Sequence, residues 1–360
     1  MKMGHPGSRT STRVFYCKMK ISTPNLIILL ALCLLALILT SVSMGYVQIP
    51  LLSTAQAIFF KLSGQGEHLQ QMDELWRTVI FEVRLPRVLT AAVVGAGLAL
   101  AGVIFQGLLL NPLADPYTLG VSSGAAFGAS LVLLLNLNFL GLYTLPLFAF
   151  ICGSLTLLLV IYLSSSAGGL SSNNLILSGV IVGAILSAGI SLFKYLAQER
   201  VSVIIFWLMG SFASSTWPEL LLTWVLLLFG FCVFMFHARD LNLICLGSRA
   251  AESLGVDTSR MRLVLLVTAS LVAAICVSVS GIIGFVGLLV PHMMRSVTGP
   301  EHRRLLPVSL LAGAILLLAA DTTTRTLLPA EVPIGVLTAL IGGPFFCYIF
   351  RKRQMHYAAQ

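Results

Sequence analysis

The chain has 360 residues, 58% of them hydrophobic and only 10% charged, with a mean hydropathy of +0.97. A soluble domain carries about 25% charged residues, so the composition excludes one. The formal net charge of +9 invites a nucleic-acid reading, but the basic residues flank apolar runs, as membrane-bordering segments do, and nucleic acid is not expected as a partner.

Lys2, Arg9, Arg13, Lys18 and Lys20 precede the first apolar run. Residues 1–24 are too polar for a signal peptide, and Asn25–Met44 has no small-residue cleavage site, so that run is expected to be a retained span. Apolar blocks of about 20 residues, enough to cross a bilayer as helices, recur along the chain. The alternating short strands of a membrane barrel are absent from the sequence. Ten spans are predicted at 25–45, 86–109, 117–136, 144–163, 174–196, 219–237, 261–280, 282–298, 305–321 and 334–350. The fold class is therefore all-α: a polytopic bundle over 25–353, with an N-terminal extension (1–24) and a C-terminal tail (354–360).

An even number of spans puts both termini on one side. With the termini inside, the N-terminus, 239–262, 295–304 and the C-terminal Arg351, Lys352 and Arg353 collect fifteen of the 22 Lys and Arg residues. That bias makes the inner face cytoplasmic. The segment 46–85 is then the longest external connection, and 206–219 (FWLMGSFASSTWPE) reads as a re-entrant or interfacial piece anchored by Trp207 and Trp217.

The second span has small residues at Ala91, Gly95 and Ala99 and at Gly97 and Ala101, a spacing that lets helix backbones approach closely. The eighth, GIIGFVGLLVPHMMR (281–295), carries three glycines and Pro291, which invites a kink. Between the sixth and seventh lies LGSRAAESLGVDTSRMR (246–262), which is charged, with Arg249, Glu252, Asp257, Arg260 and Arg262 between long apolar flanks. Ser248 is expected to cap a helix starting at Arg249, Gly255 to stop it, and Asp257 or Thr258 to cap the next span. A helix under two turns long is unstable alone in water. It is either a connector packed on its own bundle or a docking element for a cytoplasmic partner.

Several chemistries lack their motifs. No phosphate-binding loop is encoded, since none of the six lysines follows a glycine. There is no HExxH, and His237, His292 and His302 are not at metal-ligand spacing, so no metal site is expected. No GxSxG elbow occurs, and no catalytic residue is assigned. The cysteines (17, 33, 152, 232, 245, 276, 347) lie mostly in apolar runs without CxxC spacing and read as small buried hydrophobes.

The stretch RLPRVLTAAVVGAGLALAGVIFQGLLLNPLADPYTLGVSSGAAFGA (84–129) resembles the signature of permease subunits of FecCD-type ABC importers, which carry iron–siderophore complexes, haem and cobalamin. FWLMGSF (206–212), GFVGLLVPHMMRSVTGPEHRRLLP (284–307) and VPIGVLTALIGGPFF (332–346) continue the likeness in order, so that it covers about 25–353. The resemblance implies ten helices per subunit in a bacterial inner (cytoplasmic) membrane and a homodimer with the pathway on its axis. It implies two ATP-binding subunits below and a periplasmic or lipid-anchored substrate-binding protein outside. ATP and Mg would belong to the ATPase subunits, with no cofactor on this chain and no enzyme activity of its own.

The resemblance also implies site residues. Residues 246–256, including Arg249, Ala250, Glu252, Ser253, Leu254 and Gly255, match the family's coupling helix, and Arg303 and Arg304 in 299–307 would add contacts on the same face. Arg84, Arg87 and Arg325 match arginines that receive acidic residues of the binding protein; snorkelling to lipid phosphates is the alternative. Ser172 and Asn173 match the cytoplasmic gate loop. A secondary transporter is the competing class and would need an ionisable relay within the spans. Mid-span candidates are sparse, since Asp321 and Lys194 lie near predicted helix ends. An intramembrane enzyme would need a catalytic constellation, and none is encoded.

Overall fold

The computed structural model describes residues 22–166, 169–326 and 332–358. The basic cluster Lys2–Lys20 and Cys17 fall outside the described residues. The helices in chain order are α1 (Thr23–Ser43), α2 (Leu51–Leu62), α3 (Gly66–Gln70), α4 (Glu74–Thr78), α5 (Leu85–Leu108), α6 (Val121–Leu135), α7 (Thr144–Ser164) and α8 (Ser172–Leu196). There follow α9 (Val201–Leu208), α10 (Trp217–Phe236), α11 (Ala238–Ile244), α12 (Ser248–Ser253), α13 (Thr258–Ser280), α14 (Val286–Thr298), α15 (His302–Thr326) and α16 (Ile334–Ala358). Between α7 and α8 a two-residue antiparallel ladder pairs β1 (Ser165–Ser166) with β2 (Gly169–Leu170), Ser165 opposite Leu170.

Each predicted span contains a helix. Among the described residues, seven helical runs are long and apolar enough to cross a membrane: α1, Glu74–Leu108, Gly141–Ser164, α8, α10, α13 and α15. The remaining three are short. Helix α6 has 15 residues and starts after Gly120 at φ +75°, and α14 has 13 and starts after Phe285 at φ +67°. In α16 the apolar sequence runs from Ile334 to Phe350, before Arg351. The non-helical stretches before α6 and α14 are backbone that hydrocarbon cannot solvate, so the protein must satisfy it. Asp115 does so before α6, its carboxylate accepting from the Tyr117 and Thr118 N–H groups. Before α14, the Ser280 carbonyl accepts from Ser211 N–H, and the Gly210 and Met209 carbonyls accept from Ile334 and Gly335. The C-terminus of α9 thereby caps the N-terminus of α16.

Two connections have structure of their own. The segment 46–85 is largely helical: it holds α2, α3, α4 and a π-helical turn, Val79–Arg84, that runs without a break into α5. That wide turn sits just before Pro86, whose missing N–H interrupts the α ladder. Trp217 opens α10, and its indole N–H donates to the Phe81 carbonyl of this turn at 2.9 Å, so it clamps two elements of the protein.

Helix α5 is the axis. Only Arg87, Leu89 and Val93 of its 24 residues are not fully buried, and it packs against α15, α13, α14 and α10. The small residues noted in the sequence explain why. A Cβ on Gly95 would strike the Gly313 carbonyl of α15, and one on Gly102 would strike the Gly287 carbonyl of α14. In lipid, close packing rather than water exclusion drives helix association, so these contacts hold the bundle together. Gly102→Val should therefore cost about 3 kcal/mol, the upper end for overpacking, because backbone rather than a side chain must move. The check is the thermal midpoint of the detergent-purified chain; an unchanged midpoint would contradict backbone contact at this crossing.

Candidate functional site

Three sets of residues singled out in the sequence lie on different parts of the bundle. The first set begins in the π turn, which brings Arg84 beside the link between α1 and α2. Its guanidinium donates to the carbonyls of Val42 (2.8 Å), Ser43 (2.9 Å) and Val47. Gly45 leaves room for it, since a Cβ there would press on that guanidinium. One turn on, Arg87 donates through Nε (3.1 Å) and Nη2 (3.0 Å) to Asp321 Oδ1 of α15. Arg325, four residues after Asp321 on the same helix, pairs with its Oδ2 at 3.3 Å. Arg325 also donates to the Ser41 and Met44 carbonyls, and Ser41 Oγ shares a 2.7 Å hydrogen bond with Thr322.

Arg87 and Arg325 thus share one carboxylate, while Arg84 and Arg325 hold the end of α1. Asp321 is 1% exposed. Arg84, Arg87 and Arg325 bring three guanidiniums to this region. They line a cavity of about 930 Å³ together with Met44, Tyr46 and Val83. Sequence reasoning did not assign Asp321 to this cluster; its spacing to Arg325, i to i+4 on a helix, was the available signal.

The second set is the charged segment between α10 and α13. Helix α12 starts one residue earlier than expected. Ser248 is its first residue, and Gly247, at φ +110°, occupies the N-cap without a side-chain bond. The Ser248 hydroxyl instead accepts from Arg262 at 3.0 Å. The C-terminal expectation holds. Gly255 (φ +86°) donates to the Glu252 carbonyl and Val256 to that of Ala251, the paired bonds of a Schellman stop. Asp257 caps α13 by accepting from Arg260 N–H, while Thr258 donates to Glu252 at 2.7 Å. The short helix is thus braced at both ends, with Ala251 as its buried foot. Arg249, Ala250, Glu252 and Ser253 are exposed, and Leu246 and Leu254 stand 71% and 63% exposed on either side. Arg303 and Arg304 are exposed at the start of α15, and Arg304 pairs with Glu301 at 2.7 Å. Asn242 of α11 joins the two regions, its Oδ1 accepting from the His302 backbone N–H (3.0 Å) and bonding Nδ1 (2.6 Å).

Of the third set, Ser172 begins α8 and donates to the Leu108 carbonyl at the end of α5 (3.4 Å), and Asn173 is exposed beside it. A separate, mainly apolar cavity of about 640 Å³ lies where α9, α14 and α16 meet. Met209, Phe285 and Leu340 line it, with Asp115 and Tyr117 as its polar side.

Residues 32–352 match the model of the FecCD transport family. The molybdate import system permease protein of Haemophilus influenzae is 40% identical over 334 residues, covering 92% of this chain and 96% of that protein. The hemin transport system permease protein of Yersinia pestis is 42% identical over 288 residues, 78% of this chain and 86% of its own length. A solved structure described as an inward-facing metal-chelate type ABC transporter superposes with a TM-score of 0.79 at 37% identity, covering 91% of this chain and 99% of that one.

The geometry at Asp321 generates a direct test. Asp321→Ala leaves two largely buried guanidiniums without their shared carboxylate and should destabilise the chain by about 3–5 kcal/mol. Thermal unfolding in detergent reads this. A loss below about 1 kcal/mol, the range of an exposed ion pair, would contradict the buried pairing.

Proposed function

Because the chain belongs to the FecCD transport family, a family of multi-pass membrane proteins, we propose that it is the membrane-spanning permease of an ATP-driven importer of metal chelates. In this reading two copies form the pathway, two ATP-binding subunits dock on the cytoplasmic face, and a substrate-binding protein docks outside. The observation that carries it is the braced knob at 246–256. A short helix held by a Schellman stop, an Asp cap and the Glu252–Thr258 bond, with exposed Leu246 and Leu254, is stiff enough to transmit a push and apolar enough to seat in a cleft. Energy must come from another chain, because the sequence encodes no phosphate-binding loop. ATP and Mg would sit there. The distribution of Lys and Arg supports an inner-membrane location with cytoplasmic termini.

The outer cavity supports docking of the binding protein through acidic side chains. Arg87 and Arg325 would exchange part of their interaction with Asp321 for the partner's carboxylates. Arg84 would act through the α1–α2 link that its guanidinium holds. Ser172 and Asn173 would form the cytoplasmic gate. The relatives named for molybdate and hemin are 40% and 42% identical, so chain-wide identity does not single out a cargo. The mainly apolar cavity beside α16 offers few polar groups, which supports a permease that holds cargo weakly and leaves selection to the binding protein. A secondary transporter would need a carboxylate free to titrate within the spans. Asp321 is instead engaged in ion pairs with Arg87 and Arg325.

Reconstitution tests the reading. The purified chain alone should hydrolyse no ATP. With an ATPase subunit and a loaded binding protein in vesicles it should drive cargo uptake, and Ser253→Pro, which removes an N–H in the last turn of α12, should abolish uptake. ATP hydrolysis by the lone chain, or full uptake by the Ser253→Pro complex, would contradict it.

A further inference from the structure

Three consecutive residues in the last turn of α5 touch three other parts of the molecule. Gln106, 4% exposed, donates through Nε2 to the carbonyls of Gly287 and Leu288 in α14, each at 3.3 Å. The Gly107 carbonyl accepts from Cys245 Sγ, at the end of α11, at 3.6 Å. The Leu108 carbonyl accepts from Ser172 Oγ, at the start of α8.

The Gln106 contact has a specific chemical cause. Pro291 follows Gly287 by four residues and has no N–H, so the Gly287 carbonyl loses its helical donor. The Gln106 amide supplies one from the neighbouring helix. Arg295 orients that amide, its Nη1 donating to Gln106 Oε1 at 2.8 Å, which turns Nε2 toward the carbonyls. The backbones touch one turn earlier, at Gly102 and Gly287. Gly107 is equally constrained, because a Cβ there would lie 3.0 Å from His302 Nε2 and 3.2 Å from the Leu241 side chain. Helices α11 and α15 therefore bear directly on the α5 main chain.

We propose that Gln106–Leu108 is the relay between the α11–α12 knob and the gate segment at Ser172. Gln106 is its positioning residue. By bridging the turn that Pro291 breaks, it makes α5 and α14 move as one body. A push on α12 then reaches α5 through α11, at Gly107, and leaves it through Leu108. The proposal rests on the importer reading and adds the route by which work on the cytoplasmic face reaches the gate. Coupling carried by packed side chains and hydrogen bonds requires such a contiguous, stiff connection.

The test uses the full complex with ATPase subunits and loaded binding protein in vesicles, and reads cargo moved per ATP hydrolysed. Gln106→Leu should lower that ratio about fivefold, within the range by which residues on a coupling route act. A second variant separates relay from repair. Adding Pro291→Ala to Gln106→Leu restores a donor for Gly287 within α14 but not the bridge to α5, so the ratio should stay low. Recovery in the double variant, or an unchanged ratio in the single one, would overturn the relay. If Gln106→Leu fails to assemble, Ser172→Ala cuts the same route at its far end: a lowered ratio supports the relay and an unchanged one overturns it. A wild-type complex that hydrolyses ATP but moves no cargo would sink the importer reading, and the relay with it.

Discussion

The structure depends on direct backbone contact along α5. Gly95 against Gly313 and Gly102 against Gly287 bring three helices closer than side chains would permit. Hydrocarbon gives helices no reason to associate except packing and polar bonds, so these crossings set the positions of the rest. The outer crossing puts Arg87 within reach of Asp321, and the inner one puts Gln106 under the Gly287 carbonyl. Polar groups at both ends of α5 are thereby satisfied inside the protein, as the bilayer requires.

That constraint also explains the short helices. A helix that begins in mid-bundle, as α6 and α14 do, exposes unpaired N–H groups and follows a non-helical stretch with unpaired carbonyls. Asp115 answers part of this need before α6, and before α14 the Ser280 carbonyl accepts from Ser211 N–H, while the ends of α9 and α16 pair through Gly210, Met209, Ile334 and Gly335. At these junctions irregular backbone lies where other backbone or a buried carboxylate meets it. In the proposed transport cycle, such junctions are where elements can be displaced together without exposing polar groups to lipid.

Much of the fold was legible because it rests on local signals. Apolar length marked every span, and the small-residue stripe at 91–101 marked the helix that became the axis. Gly255 and Asp257 announced the end of α12 and the start of α13, and they do what their chemistry suggests. The misses are non-local or ambiguous. Ser248 looked like a cap, but Gly247 next to it could adopt the required backbone, and Arg262, fourteen residues on, engages the hydroxyl. The breaks before α6 and α14 lie inside apolar runs whose composition is span-like, so hydropathy passed over them. Gln106 drew no attention because its partners lie more than 180 residues away. Asp321 is intermediate: its pairing with Arg325 is local, while that with Arg87 crosses the bundle.

The central claim, that the knob, the inner end of α5 and the gate form one stiff unit, is tested most directly by distances. Spin labels at Leu254 and Asn173, both exposed, can be measured by pulsed electron resonance in the assembled complex with and without ATP, native cysteines having been replaced. The expected result is an unchanged Leu254–Asn173 distance within one copy and a changed Asn173–Asn173 distance between copies. A knob that shifts relative to its own gate, or gates whose separation ignores ATP, would contradict it.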